Sequence, residues 1–276
     1  MSTVKLATLL AASVVIAGGG GYAVHNAVGW MMPAYTVLSK GSSKEKHTDA
    51  SNVGKKYENY LVDPFDASNE NWWNWAYRWW KYDFDNKTVN LSDEFENEDK
   101  IKYAFKPESE SGSDDSKSLN KVCNSVYGKP KTDLTPTNDE NNNKNKLNKD
   151  LWKYCSVLVR RPVTVAGNND ESYLEDGIYG NTQKDKLVSV KDPNNYLFWE
   201  IRNKEFFGEN GNSGIGNGLN DSDSLFKKLY DDKDKKDRGT IKDTCERAYS
   251  LTAAGTSDEE KAQQVNVLKF CSFEGE

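Results

Sequence analysis

The chain has 276 residues, 36% of them hydrophobic and 29% charged, with a net charge of −6. A composition this poor in apolar residues suits small reinforced units better than one large core. Its 37 Lys and Arg are scattered among 43 Asp and Glu, and the lack of a basic stripe excludes nucleic acid as the expected partner.

The first element is apolar. Residues 6–24 carry no charge, follow Lys5 and include the glycine run 18–21, a stretch long enough to cross a bilayer. A cleaved signal peptide shares these features, with Val15-Ile16-Ala17 as a cut site. An anchor is the better reading because Trp30, Met31, Met32, Tyr35, Val37 and Leu38 prolong the apolar character past any cut. The lysine count, Lys5 before the span against Lys40, Lys44 and Lys46 after it, favours a body kept inside. Long domains cross regardless of nearby charge, and the cysteines suit an oxidising compartment, so the body is expected on the extracellular side of the cell membrane. Residues 1–40 are read as signal or membrane anchor.

The next element is "NWWNWAYRWW", residues 71–80, with five of the eight tryptophans. At 100° per residue Asn71, Asn74, Arg78 and Lys81 fall on one narrow polar stripe and the rest from Trp72 to Tyr82 is apolar, which is the pattern of a helix. Ser68 or Asn69 is placed to cap it, with Glu70 in the first turn. A strand competes, since Trp73, Trp75, Tyr77 and Trp79 alternate with polar or small residues, but the alternation fails after Trp79 while the stripe persists to Lys81. So wide an apolar arc belongs in a core. The alternative is an extracellular glycan- or lipid-binding platform made of Trp72, Trp73, Trp75, Trp79 and Trp80; it needs exposed rings, and a membrane-surface helix usually carries more Lys and Arg.

Further along, "SESGSDDSKS" (109–118) and "TPTNDENNNKNKLNKD" (135–150) are too polar to bury and read as solvated loops. "GENGNSGIGNGLND" (208–221) has neither the G-x-G-x-x-G or Gly-Lys-Ser/Thr of a phosphate loop nor the acidic residues of a calcium loop, and reads as a surface loop. The four cysteines, Cys123, Cys155, Cys245 and Cys271, include no C-x-x-C, which disfavours zinc and thioredoxin-like sites.

The cysteines carry an internal repeat. Leu119-Asn-Lys-Val-Cys123-Asn-Ser-Val-Tyr127 returns as Ile241-Lys-Asp-Thr-Cys245-Glu-Arg-Ala-Tyr249, and Trp152-Lys-Tyr-Cys155-Ser156 as Leu268-Lys-Phe-Cys271-Ser272. Upstream, Glu58-Asn-Tyr-Leu-Val-Asp63 echoes Glu171-Ser-Tyr-Leu-Glu-Asp176, and Trp75-Ala-Tyr-Arg78 echoes Trp199-Glu-Ile-Arg202, which pairs Tyr60 with Tyr173 and Trp75 with Trp199. Four landmarks in one order imply two tandem units, residues 41–166 and 167–276, joined near 162–170. Each cysteine lies among helically spaced apolar residues, as in Leu119, Val122, Cys123 and Val126, or Val265, Leu268 and Cys271. Of three possible pairings, duplication favours Cys123 with Cys155 and Cys245 with Cys271. The expected fold is mainly α: an N-terminal apolar helix, then two disulfide-pinned helical repeats with long polar loops.

With its apolar start, W-rich helix and K-[YF]-C-S motifs, Lys153-Tyr154-Cys155-Ser156 and Lys269-Phe270-Cys271-Ser272, most of the chain resembles the paralogous families of N-terminally anchored, cysteine-bearing surface proteins of haemotropic mycoplasmas. The resemblance implies a variable protein at the cell surface and brings no activity. The doubled body and the five-tryptophan cluster depart from a single-unit member.

No catalytic residue, cofactor or metal site is expected. His25 lies just past the apolar span and His47 in a polar segment, neither beside a cysteine in sequence, and Asp and Glu are too numerous for any pair to stand out. The expectation is a surface-displayed protein that is no enzyme, contacting the membrane through residues 6–24, extending to 38, and a host protein or cell surface through its body.

Overall fold

Helices form where apolar spacing requires them. The computed structural model describes residues 32–109, 114, 116–208, 212–252 and 260–273. Among these, α1 is Val53–Lys56, α2 Glu70–Asn86, α3 Leu119–Tyr127, α4 Asn143–Tyr154, α5 Tyr179–Thr182, α6 Tyr196–Phe207, α7 Ser224–Asp231, α8 Ile241–Tyr249 and α9 Gln264–Cys271, joined by short 3-10 turns. The described residues contain isolated β-bridges and no strands. The expected anchor at residues 6–24, and His25, Trp30 and Met31, lie outside the described residues. Among those described, no helix is long and apolar enough to cross a membrane.

Helix α2 follows its sequence pattern. Trp72, Trp73, Trp75, Ala76 and Trp80 are buried while Asn71, Asn74 and Arg78 stay exposed. A 3-10 turn capped by the Asp66 side chain leads into it, and Lys87, in the left-handed region at φ 49°, ends it by donating its N–H to the Asp83 carbonyl. Asn69 holds the N-cap position without a side-chain cap bond, because its amide is engaged elsewhere.

That engagement belongs to a frame of hydrogen bonds that occurs twice. Leu38 N donates to Leu61 O and Asp63 N to Thr36 O; Val165 N donates to Leu187 O and Ser189 N to Val163 O. A third segment joins each ribbon at the cysteine, Val62 N to Cys155 O and Val188 N to Cys271 O. The Tyr127 hydroxyl donates to Val62 O and Cys155 O at 3.0 and 2.9 Å, and Tyr249 does the same to Val188 O and Cys271 O at 2.7 and 3.3 Å. The Asn69 amide donates to Thr36 O and Asp63 O while its oxygen accepts from Thr36 N. Asn195 makes the matching three bonds to Val163 and Ser189. Each frame is closed by a disulfide, Cys123–Cys155 and Cys245–Cys271, with Cα atoms 5.7 Å apart in both. Both pairings are those the sequence spacing favours.

The frames correct two of the correspondences drawn from sequence. Trp199 donates its indole N–H to Ser189 O, and the residue that donates to the equivalent Asp63 O is Trp73, not Trp75. Tyr173 meets Tyr249 edge to face at 5.6 Å, and its counterpart is His47, edge-on to Tyr127 at 5.7 Å, not Tyr60. The echoes around Tyr60 and Trp75 were short local likenesses, whereas the register is set by backbone bonds that any side chain permits.

Boundaries also shift. Val37 and Leu38 are buried in the body, so the first frame begins at Thr36 and residues 36–40 pack with the body, which takes them out of the expected signal or anchor segment 1–40. The second begins at Val163, four residues before the expected boundary at 167. The segment 135–150 is only half loop: α4 begins at Asn143 and buries Asn145, Leu147 and Asp150. Val265, expected on the core face of α9, is 58% exposed, and Val267 and Phe270 fill that face instead.

The two halves share one continuous core. Phe273 stacks on Tyr57 at 5.3 Å and meets Trp152 edge-on at 5.0 Å. Buried Arg202 donates to the Tyr60 hydroxyl at 2.6 Å and to Lys269 O and Ser272 O at 3.2 Å. Burial pushes the Tyr60 hydroxyl up to about 12, against the opposing pull of Arg202.

Candidate functional site

The tryptophan cluster is packed on itself. Trp72 and Trp73 meet edge to face at 4.9 Å, Trp75 lies 5.8 Å from Trp72, and Trp80 stacks on Phe84 at 5.3 Å. Trp80 Nε1 donates to Phe95 O at 2.9 Å. Trp72, Trp73 and Trp80 have no exposed surface, Trp75 keeps 4%, and Trp79 is partly buried against the core. A glycan platform needs open ring faces; α2 turns Asn71, Asn74 and Arg78 outward instead.

Beneath α2 lies a cluster that sequence reasoning missed. Asp83, fully buried, accepts from the Tyr154 hydroxyl at 2.7 Å and from Thr88 Oγ1, and pairs with Lys153 Nζ at 2.6 Å. Asp150 accepts from Ser92 N and Oγ at 2.7 and 2.8 Å. Burial raises the Asp150 carboxyl to about 7, Ser92 and Lys153 opposing and Asp83 adding to the shift. The cluster joins α2, the 88–92 segment and α4. Its polar atoms are satisfied within the protein, as burial demands, and their role is to hold these pieces together. A hint lay in the K-[YF]-C-S motif: Tyr154 has a hydroxyl for Asp83, whereas Phe270 at the matching place packs on Phe206 and Phe226.

A second polar arrangement appears in each half with its roles exchanged. Buried Asp63 accepts from Ser43 N and Oγ, both at 2.7 Å, and from Phe65 N and Asp66 N. Its counterpart is Ser189, which donates to Glu171; that buried carboxylate also accepts from Val190 N, Lys191 N and the Tyr173 hydroxyl. Carboxylate and hydroxyl have changed places while the bond between them is kept. Gly41 is required here, because a Cβ would sit 2.1 Å from Asp63 Oδ2.

The remaining motifs find structural places. His47 is buried, with Nε2 2.9 Å from Asn124 Oδ1, and both disulfides are fully buried. The described part of the 208–221 segment is more than a surface loop: Ile215 N and Gly216 N bond back to Glu205 O and Phe206 O, and a Cβ on Gly216 would meet the Phe206 and Tyr230 rings at 2.7 Å. Among the described residues no group of three or more His, Cys, Asp and Glu is placed to hold a metal.

One outward-facing stretch of the body is largely polar in its exposed positions. Residues 135–140 are exposed throughout. They lie within the loop closed by Cys123–Cys155, and Asn145 brackets them from below, donating to Thr137 O and Asp139 O and accepting from Thr137 N. A shallow cleft of about 480 Å³ runs along α2, lined by Pro33, Asn71, Asn74, Tyr77 and Arg78. Compared with known proteins, the chain matches no family model, no curated protein and no solved structure.

Proposed function

We propose that this chain is a membrane-anchored protein displayed on the outer cell surface, built from two tandem copies of one disulfide-pinned helical unit, and acting by contact rather than catalysis. The duplicated frame of bonds supports two copies: a chance likeness would not reproduce an asparagine bracket, a tyrosine clamp and a disulfide in one spatial arrangement. The uncharged run at residues 6–24 supports the anchor, and the resemblance to the surface proteins of haemotropic mycoplasmas points the same way.

The observation that carries the contact role is the 135–140 loop. It is wholly exposed, closed by a buried disulfide and bracketed by Asn145. A loop already ordered on a rigid base loses little further conformational entropy when a partner binds, which suits recognition of a host protein or cell surface.

The test labels intact cells with a membrane-impermeant amine reagent and maps the modified lysines. Lys131 and Lys144, which flank the loop, should be modified without permeabilisation. Labelling only after the membrane is opened would overturn display. Replacing 135–140 by a Gly/Ser linker should leave the melt nearly unchanged and abolish attachment of the purified body to host cells; attachment that survives the exchange would move the contact surface elsewhere.

A further inference from the structure

The cleft along α2 lies at the N-terminal end of the described body. Pro33 forms one of its walls, and Pro33 is where the body meets the N-terminal stretch. The chain from Trp30 to Pro33 spans at most about 10 Å, and from Val24, where the apolar run ends, at most about 30 Å. With residues 6–24 in a bilayer, the cleft is therefore tethered within about 30 Å of the membrane boundary. Its lining includes one cation, Arg78, two side-chain amides, Asn71 and Asn74, and no carboxylate. Arg78 has no ion-pair partner among the described residues. Tyr35 and Tyr82, the second one helical turn beyond Arg78, are 38% and 47% exposed, and amphipathic tyrosines concentrate at membrane interfaces.

The matching face of the other half is built differently. Trp73 and Trp199 fix the register, which sets Leu197, Glu200 and Lys204 of α6 where α2 has Asn71, Asn74 and Arg78. There Glu200 pairs with Lys204 at 3.5 Å, so the cation is neutralised by its own helix.

We propose that the α2 cleft is a docking surface for the phosphate groups of membrane phospholipids, resting on the anchor reading above. Arg78 supplies a planar fork that matches two phosphate oxygens, and the Asn71 and Asn74 amides donate beside it. Tethering by the anchor supplies the effective concentration that lets so small a site be occupied. The surface would hold the body in one orientation on the bilayer, with unit 1 against the lipid. The apolar run itself is a poor occupant, since it offers Arg78 no charge.

The experiment uses the full chain reconstituted in nanodiscs of phosphatidylcholine and phosphatidylglycerol, with benzoylphenylalanine in place of Asn74 or, as control, of Glu200. Irradiation should give phospholipid adducts at position 74 at least fivefold above those at position 200. Arg78→Glu should lower the position-74 yield severalfold with the melting temperature unchanged. Equal yields at the two positions, in chain that stays with the disc after an alkaline wash, overturn the docking surface and leave the anchor standing. Adducts from position 74 to the chain's own residues 1–31 overturn it too. Chain released by the wash refutes the anchor reading and this inference with it.

Discussion

Replacing Asp150 by Asn should change how stability depends on pH, in a direction fixed by burial. The Asp150 carboxyl, 3% exposed, is raised in the fold from an ordinary 3.8 to about 7, first because it is taken out of water. The folded chain therefore holds, between roughly pH 4 and pH 7, a proton that the unfolded chain has released. A raised carboxyl contributes stability that is fully present below pH 3.8 and is lost as pH rises through about 7. The slope is about 1.4 kcal/mol per pH unit, and over three units the change is on the order of 4 kcal/mol. Asn keeps an acceptor for Ser92 and has no proton to lose. Urea unfolding of both proteins at pH 4.5, 5.5 and 6.5 isolates the effect, because other shifted groups such as Glu205, raised by burial, and Glu94, lowered by Lys129 and its other hydrogen bonds against burial, are common to both and cancel. Relative to the variant, the native protein should lose about 1.4 kcal/mol per unit as pH rises. Parallel pH profiles would refute the reasoning.

Three further outcomes follow from the packing. Trp75→Ala should cost about 3 to 5 kcal/mol in a thermal or urea melt and Arg78→Ala no more than roughly half a kcal/mol; an unchanged melt for Trp75→Ala would remove the core role of the cluster. Asn69→Ala leaves the Thr36 N–H without its partner and takes one bond from each of two carbonyls, and should cost about 2 to 4 kcal/mol. Asn195→Ala should cost a similar amount, and a large asymmetry between them would show that the two brackets are not equivalent. Removing Cys123–Cys155 or Cys245–Cys271 by Cys→Ser pairs opens loops of 32 and 26 residues and should cost about 3.7 and about 3.5 kcal/mol by chain entropy; peptide mapping should find no free thiol in the native protein.

Local periodicity was legible without coordinates. A helix reports its faces within two turns, so Asn71, Asn74 and Arg78 marked the exposed stripe of α2, and the spacing of Cys123 and Cys155 against Cys245 and Cys271 marked the bridges. The helix faces depend only on residues near one another in the chain, and the bridges were legible because the same cysteine landmarks return in the same order. The buried polar groups did not announce themselves, because Asp83, Asp150, Asn69 and Glu171 look like surface residues until the chain brings up their partners. Lys153 and Tyr154 reach Asp83 across about seventy residues, and Thr36 reaches Asn69 across more than thirty. The same distance explains the mistaken echoes at Tyr60 and Trp75. Sequence likeness compares side chains, while the register of each half was decided by backbone bonds between segments far apart in the chain, and those bonds leave no mark on the side chains that flank them.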